Sequence, residues 1–276
     1  MSSIEHITII GSGKVGTSLY EAFSAAGFQV ELPGKNLAAQ KHAVIETDLL
    51  LLTVQDSQIR TLCEGLSTTL NSNTIVAHCS GALGSSELSA AKEVGCHVAT
   101  AHPLNTFPTI ESARLLLRNP THNTHCFISG ESEPATTLSW LFKKIGCITH
   151  QMKDDSKTAY HTACVFACNY LVSLSELSLQ SAENGGLDRD QFWQAIQPLM
   201  LSTLENISAH GTSAALSGPV PRGDISTIKA HLTHLDSGRK LTRNLYTLLG
   251  QQAVELAADR NELSDSQLAQ LKETLS

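Results

Sequence analysis

The glycines near the amino terminus constrain the fold more than any other feature of this sequence. Gly11, Gly13 and Gly16 stand in G-x-G-x-x-G spacing within "ITIIGSGKVGTSLYEAF", after a strand-like segment and at the start of a helical one. In this context the first glycine permits a tight turn, the second lets a pyrophosphate approach the backbone, and the third lets helix and strand pack closely. The motif therefore predicts a dinucleotide-binding unit with the phosphates at the helix amino terminus.

Short apolar strands alternate with amphipathic helical segments from residue 4 to about 150, which predicts a parallel sheet covered by helices on both faces. Strand signals end after Met152. Helices are predicted at 157–184, 189–209, 225–235, 238–259 and 264–275, and "KDDS" is expected to cap the first of them. The predicted fold class is α/β, with a Rossmann domain at 1–152 and an all-α substrate and dimerisation domain at 153–276.

Three loops at the carboxyl ends of predicted strands are expected to hold the cofactor, because ligands of such sheets bind there. The predicted cofactor-binding residues are Gly11, Ser12, Gly13, Lys14, Val15, Gly16, Lys35, Val54, Gln55, Ser80 and Gly81. Glu31 falls within the second strand, whereas the tip of that strand carries Lys35, a cation suited to a 2′-phosphate. NADP is therefore favoured over NAD, the alternative being a solvated Lys35. Asp56 and Ser57 are interpreted as helix caps.

Composition excludes several classes of partner. A formal charge of −7 and 16% charged residues argue against a nucleic-acid or anionic-membrane surface. The longest clean apolar run, "LLLL", is too short to span a membrane and no targeting segment is visible, so a cytoplasmic protein acting on a small molecule is expected. His122 with His125, and His231 with His234, have no acidic or cysteine partner at ligand spacing, so no metal site is predicted.

Six segments in a fixed order carry a family resemblance: "IIGSGKVG", "DLLLLTVQDSQI", "HCSGALG", "AHPLNTF", "YHTACVFACNYL" and "GPVPRGD". Together they resemble the Rossmann-like oxidoreductases with an uncharacterised C-terminal helical domain, relatives of the pyrroline-5-carboxylate reductase and 6-phosphogluconate dehydrogenase-like group. Some members of that family are known as an alternative ketopantoate reductase. The resemblance implies an NADPH-dependent reductase that binds its substrate in a cleft between the two domains.

The resemblance also suggests catalytic residues. In the wider group the interdomain helix carries a lysine and an asparagine one turn apart. Asn169 matches the asparagine, but Val165 occupies the lysine position, so the proton donor stays open. Asn169, His161 and His102 are the predicted catalytic residues, because the amide can orient a carbonyl and a histidine can supply a proton near neutrality. In a regular helix His161 and Asn169 lie about 80° apart, and either histidine could instead be structural.

A substrate carboxylate has a candidate partner in Arg222 of "GPVPRGD", although Arg222 could instead pair with Asp224, the expected cap of the next helix. The predicted substrate-binding residues are Arg222, Asn105 and Ser80. The expected reaction is reduction of a small carboxylate-bearing 2-oxo acid, with 2-dehydropantoate (ketopantoate) to pantoate as the best guess. Two alternatives stay open. One is an imine reductase of the pyrroline-5-carboxylate reductase type, which the missing lysine favours because a protonated imine is already electrophilic; the other is a non-catalytic NADP-binding protein.

The helix predicted at 157–184 carries more small and apolar side chains than one small domain can readily cover. This surplus predicts a homodimer packed through the helical domain.

Overall fold

The computed structural model describes residues 4–106, 124–236 and 238–276. It divides into two compact units, Met1–Ala167 and Cys168–Ser276, called unit 1 and unit 2 below. Unit 1 contains the sheet, and unit 2 is helical. The predicted fold class, a Rossmann domain followed by helices, is confirmed.

The sheet of unit 1 has seven strands in the order β2-β1-β3-β4-β5-β6-β7. The strands are β1 His6–Ile10, β2 Gln29–Glu31, β3 Leu49–Leu52, β4 Ile75–His78, β5 His97–Leu104, β6 His125–Gly130 and β7 Ile148–Gln151. Strands β1 to β5 are parallel, β6 runs antiparallel to β5, and β7 is parallel to β6. The alternating pattern predicted a wholly parallel sheet, and the β5–β6 pair departs from it. The parallel β6–β7 pair is joined by the helical crossover Ser132–Lys144 that such a pair needs.

The sheet is buried on both faces, as a continuous apolar run such as Leu49–Leu52 predicts. Leu49 and Leu51 join the apolar cluster on one face, and Leu50 and Leu52 join the cluster on the other. Complete burial of each leucine side chain stabilises the fold by roughly 1.5–3 kcal/mol. The sheet is therefore a rigid support for the loops at its carboxyl edge.

Helices of unit 1 cover this sheet. They are Lys14–Ala25, Leu37–Ala43, Asp56–Ser67, Ser89–Glu93, Ser132–Lys144 and Lys157–Cys164, with short 3₁₀ turns at Ser85–Leu88 and Asp154–Ser156. The expectation that "KDDS" caps the helix at 157 is wrong. Ser156 makes no side-chain capping bond, and Asp154 instead accepts hydrogen bonds from Ser85 and Ser129.

Unit 2 contains the remaining predicted helices, at Tyr170–Asn184, Arg189–Ala215, Ile225–Asp236, Lys240–Ala258 and Asp265–Thr274. The predicted helix at 189–209 extends further, past a break at Gly211, where φ is 78°. Asp224 accepts a hydrogen bond from the Thr227 backbone N–H, so its predicted role as a cap is confirmed. A small apolar core lies between the last three helices and includes Ile228, Val254 and Leu271.

A π-helical segment, Val165–Asn169, separates the helices Lys157–Cys164 and Tyr170–Asn184, where the sequence predicted one regular α-helix. The angle of about 80° between His161 and Asn169 assumed regular α-helical geometry and does not apply across this π-helical segment. The division between the units falls after Ala167, beyond the predicted domain boundary at 152/153, because Lys157 bonds Ser80 and Tyr160 bonds His102 within unit 1. The division of roles at 152/153 stays a prediction.

One helical stretch in the described part of the chain, Asp154–Asn184, is long and apolar enough to cross a membrane by length and composition alone. Only 6% of its most apolar window is buried, so the stretch is not a core helix of unit 1 or unit 2. A single helix of this kind is weak evidence for a membrane, and coverage by a second copy of the chain explains its exposure equally well.

Candidate functional site

The glycine-rich turn after β1 is fixed by close contact with Thr53, the residue after β3. The Thr53 hydroxyl donates to the Gly11 carbonyl oxygen at 2.8 Å. Gly11 has φ of +124°, a conformation that only glycine adopts without strain. A Cβ on Gly16 would overlap the Gly11 carbonyl oxygen and Thr53 Oγ1, whereas a Cβ on Gly13 would meet nothing within 4 Å. Each glycine thus occupies the environment that its place in the motif predicts.

A cavity of about 940 Å³ opens beside this turn. It is bounded by the loops that follow β1, β2 and β3. Its lining includes the predicted cofactor residues Gly11, Ser12, Gly13, Lys35, Val54 and Gln55. Lys14, Val15 and Gly16 form the first turn of the adjoining helix Lys14–Ala25, so the helix amino terminus adjoins the same opening. Open space at Gly13 and a helix amino terminus fit the diphosphate of a dinucleotide.

The end of β2 presents Lys35 to this cavity. Glu31 lies within β2, as predicted, and Lys35 is exposed. Asn36 is occupied as the cap of the helix Leu37–Ala43, where its side chain accepts from the Ala38 backbone N–H at 2.9 Å. Among the side chains lining the cavity, Lys35 is therefore the cation placed to meet an adenosine ribose substituent.

The loop Ser80–Ala82 after β4 is held by an internal network. The Ser80 hydroxyl donates to Asp56 Oδ2 at 2.9 Å and accepts from the Leu83 backbone N–H at 3.0 Å. The interpretation of Asp56 as a helix cap is wrong, because Gln55 occupies the cap position and Asp56 bonds the neighbouring loop. His78 is fully buried, accepts from the Ser80 N–H and donates to the Gly84 carbonyl oxygen, so it is structural.

Lys157 is almost completely buried, at 2% exposure, and its ammonium group donates to the Ser80 carbonyl oxygen at 2.7 Å. Burial lowers the pKa of Lys157, an effect that the charge of Asp154 opposes. Burial alone would raise the pKa of Asp154, but hydrogen bonds from Ser129 and Ser85 and the charge of Lys157 hold it below its usual value. The opposite charges of Lys157 and Asp154 thus partly offset the cost of burying each of them beneath the loop.

His102, on β5, stands next to this loop. Its Nδ1 is 2.7 Å from the Tyr160 hydroxyl, and the two rings meet edge to face with centroids 5.6 Å apart. A Cβ on Gly81 would lie 2.9 Å from ring carbons of both His102 and His161. The predicted residues Ser80, Gly81, His102 and His161 are therefore brought together in unit 1.

The protonation states in this cluster follow from burial. Burial, assisted by the positive charge of Lys157, lowers the pKa of His102 to about 4. Burial also raises the pKa of the Tyr160 phenol. Near neutral pH His102 is a neutral imidazole and Tyr160 keeps its proton. The catalytic role expected of His102 stays a prediction, and in this environment it would act as a neutral imidazole.

The other predicted site residues lie elsewhere. Asn105 follows β5 and donates to the Thr124 hydroxyl at 3.2 Å. Asn169 and Arg222 belong to unit 2, and both are exposed. Arg222 contributes to the low pKa of Asp224, behind the hydrogen bonds from Thr227 and Ser226. Their roles toward a substrate stay predictions.

Sequence reasoning missed Thr53, Asp154, Lys157 and Tyr160. Lys157 stands one helical turn before His161, which was the available signal, but a lysine near a helix start is more often solvated than buried. Tyr160 adjoins His161 in the sequence and was overlooked because histidine is the more common proton carrier near neutrality.

Within the described residues no three histidine, cysteine or acidic side chains come together as a metal site. His125 Nδ1 lies 2.7 Å from His150 Nε2, and His231 Nδ1 lies 2.8 Å from the Tyr246 hydroxyl. His122 lies outside the described residues.

The fold and the glycine-rich cavity define a class: two-domain proteins with an amino-terminal Rossmann domain and helices after it. Residues 29–103 match the family model of a Rossmann-like domain, and residues 124–253 match the model described as a domain of unknown function, DUF2520. The chain thus combines a match to a Rossmann-like domain with a match to a DUF2520 domain, and the resemblance found in its motifs is confirmed. A comparison with curated proteins found no match.

Solved structures share this fold. Protein TM1727 from Thermotoga maritima has a TM-score of 0.71 at 21% identity, with 93% of this chain and 100% of that chain covered. An imine reductase from Myxococcus stipitatus in complex with NADP⁺ has a TM-score of 0.68 at 15% identity, with 96% and 99% covered. Pyrroline carboxylate reductase from Plasmodium falciparum with NADP bound has a TM-score of 0.58 at 13% identity, with 100% of both covered. The chain therefore has the fold of imine and pyrroline carboxylate reductases.

Proposed function

We propose that this protein is an NADP-dependent oxidoreductase that reduces the C=N bond of a small imine. The observation that carries the proposal is the cavity at the glycine-rich turn. The loop Ser80–Ala82 follows β4, the strand next to β3 in the sheet, and Ser80 bonds Asp56 of the helix that follows β3. An imine reductase and a pyrroline carboxylate reductase, both solved with NADP bound, share the fold. Imine reduction therefore takes precedence over ketopantoate reduction, the reaction expected from the sequence.

The cofactor would be held by this chain in three places. Backbone N–H groups at Ser12 and Gly13 would bind the diphosphate, and Lys35 would bind the 2′-phosphate. The loop with Gly81 would form one wall of the nicotinamide site, because Gly81 leaves no room for a side chain beside His102. When bound, reduced nicotinamide supplies a hydride to the substrate carbon. Of the residues in unit 2, Asn169 is proposed to orient the reacting group and Arg222 to bind a carboxylate.

Reduction of a 2-oxo acid, with ketopantoate as the named guess, is the second candidate. The observation that favours it is the Tyr160 phenol bonded to His102, because reduction of a carbonyl always requires a proton for the developing alkoxide.

The test is turnover of NADPH by the purified protein with matched panels of cyclic imines and 2-oxo acids. Turnover with imines and none with 2-oxo acids supports the leading proposal, and the reverse result supports the second candidate. Asn169→Ala is expected to lower kcat by about 100-fold or more if the amide orients the reacting group. Arg222→Gln is expected to raise KM only for substrates with a carboxylate. Tight NADPH binding without turnover of any compound would instead indicate a non-catalytic NADP-binding protein.

A further inference from the structure

The pair formed by Tyr160 and His102 has no role yet in the imine reduction proposed above. The Tyr160 hydroxyl is 2.7 Å from His102 Nδ1. The tyrosine ring also packs on Phe127, with centroids 4.6 Å apart. Tyr160 is only half-buried, and the side chain of Cys164 is a further hydrogen-bonding neighbour of its hydroxyl.

The pair lies at the carboxyl edge of the sheet. His102 lies on β5 beside Gly81, whose loop follows β4 at the carboxyl edge where ligands of such sheets bind. The loop is itself anchored from below by the ammonium group of Lys157. A hydroxyl fixed at this edge lies on the side of the sheet where a ligand would bind, which a proton donor requires.

The pair holds two protons along one hydrogen bond. His102 stays a neutral imidazole because burial lowers its pKa to about 4, and the raised pKa of Tyr160 keeps the phenol protonated. If His102 carries its hydrogen on Nδ1, it donates to the tyrosine oxygen, and the phenolic hydrogen is not used in that bond. A substrate atom would then compete with the Cys164 side chain for this hydrogen.

We propose that Tyr160 donates the proton in the reduction proposed above, and that His102 replaces it. The inference rests on that proposed function. The hydride from reduced nicotinamide forms the new C–H bond and breaks the C=N π bond. The nitrogen takes its proton from Tyr160 Oη, Tyr160 recovers a proton from His102 Nδ1, and His102 Nε2 takes one from water. The products are the amine, the oxidised cofactor and the hydroxide left by that water.

The first experiment compares a cyclic imine with its N-methyl iminium salt, at a pH well above the pKa of the imine's conjugate acid. The neutral imine needs a proton from the protein, whereas the iminium salt needs none. Tyr160→Phe is therefore expected to lower kcat by about 100-fold or more on the imine and by less than about threefold on the iminium salt. A loss merely of structure would lower both rates together.

Unit 2 supplies a matched control. Tyr246 bonds His231 Nδ1 at 2.8 Å, and these rings also meet edge to face. Tyr246→Phe removes the same hydroxyl from the same kind of pair. Its rates on the imine and on the iminium salt are each expected to equal those of the wild type. A common fall in Tyr160→Phe and Tyr246→Phe would assign the effect to stability.

A second readout does not depend on turnover. The ¹⁵N NMR shifts of the imidazole nitrogens report which one carries hydrogen, and the spectrum of His102→Gln assigns the signals. We expect His102 to carry its hydrogen on Nδ1. Hydrogen on Nε2 would mean that the phenol already donates to His102, and the proposal would be overturned.

The outcomes separate the two proposals. An active wild type whose Tyr160→Phe variant reduces the neutral imine at an unchanged rate overturns the role of Tyr160 alone. A wild type that binds NADPH and reduces neither the imine nor the iminium salt overturns the proposed function, and the role of Tyr160 with it.

Discussion

The two glycines at the start of the helix Lys14–Ala25 are expected to respond in opposite ways to the same added methyl group. In Gly16→Ala the Cβ would overlap the Gly11 carbonyl oxygen and the Thr53 side chain. The overlapped carbonyl is backbone and cannot turn aside like a flexible side chain, so the helix start must shift away from β1. Overpacking of this kind costs roughly 1–3 kcal/mol, and backbone overlap places Gly16→Ala at the upper end of that range.

In Gly13→Ala the added Cβ meets nothing within 4 Å, and φ of −74° suits alanine. Its stability should stay within about 1 kcal/mol of wild type, but the methyl group should obstruct the diphosphate and weaken NADPH binding about tenfold or more. Thermal unfolding and NADPH titration of both variants provide the check, and a loss of about 3 kcal/mol corresponds to a Tm roughly 6–12 °C lower for a domain of this size. A Gly16→Ala protein that melts like wild type would refute the packing reasoning, and unchanged NADPH affinity in Gly13→Ala would refute the assignment of the cavity.

Three further predictions concern the cofactor, the response to acid and the assembly. Lys35→Asp should weaken NADPH more than NADH, because it exchanges attraction to the 2′-phosphate for repulsion; equal losses by titration would exclude Lys35 as the selector. The folded-state pKa of His102, about 4, lies below its ordinary value of 6.5, so its contribution to stability is present above about pH 6.5 and lost as the pH falls toward 4. The loss amounts to at most about 3 kcal/mol. Urea unfolding of His102→Gln should show a shallower decline over that range, and an identical decline would contradict the assignment. Val172 and Leu199 of unit 2 are 70% and 61% exposed, so we expect a homodimer by light scattering, and Val172→Glu with Leu199→Glu should give a monomer; a wild-type monomer at micromolar concentration would argue against the dimer.

The cofactor half of the site could be predicted from the sequence because its signals are local. The spacing of Gly11, Gly13 and Gly16 and the apolar strand before them lie within one short segment. Each glycine answers a requirement of backbone geometry, which sequence spacing expresses directly. The helices of unit 2 were predicted for the same reason, since their apolar periodicity is also local.

The residues Ser80, Gly81, His102 and His161 were predicted, but the buried contacts around them could not be, because these contacts join distant segments of the chain. Asp154 is held by Ser85 and Ser129, and Lys157 by the Ser80 carbonyl group. Nothing in the sequence distinguishes these side chains from solvated ones, since burial is decided by the whole fold. The same holds for the protonation of His102, whose low pKa comes first from burial.

The buried ammonium group of Lys157 makes this residue a chemical reporter of the loop that it anchors. Amine-reactive reagents modify exposed lysines quickly, but they can reach the Lys157 Nζ only when it leaves the Ser80 carbonyl oxygen. Its labelling rate, followed by peptide mass spectrometry, therefore measures how often the start of the helix Lys157–Cys164 detaches from the loop after β4. A ligand that binds against this loop would slow the modification of Lys157. The labelling rate of an exposed lysine such as Lys35 would change only if the ligand contacts that lysine directly.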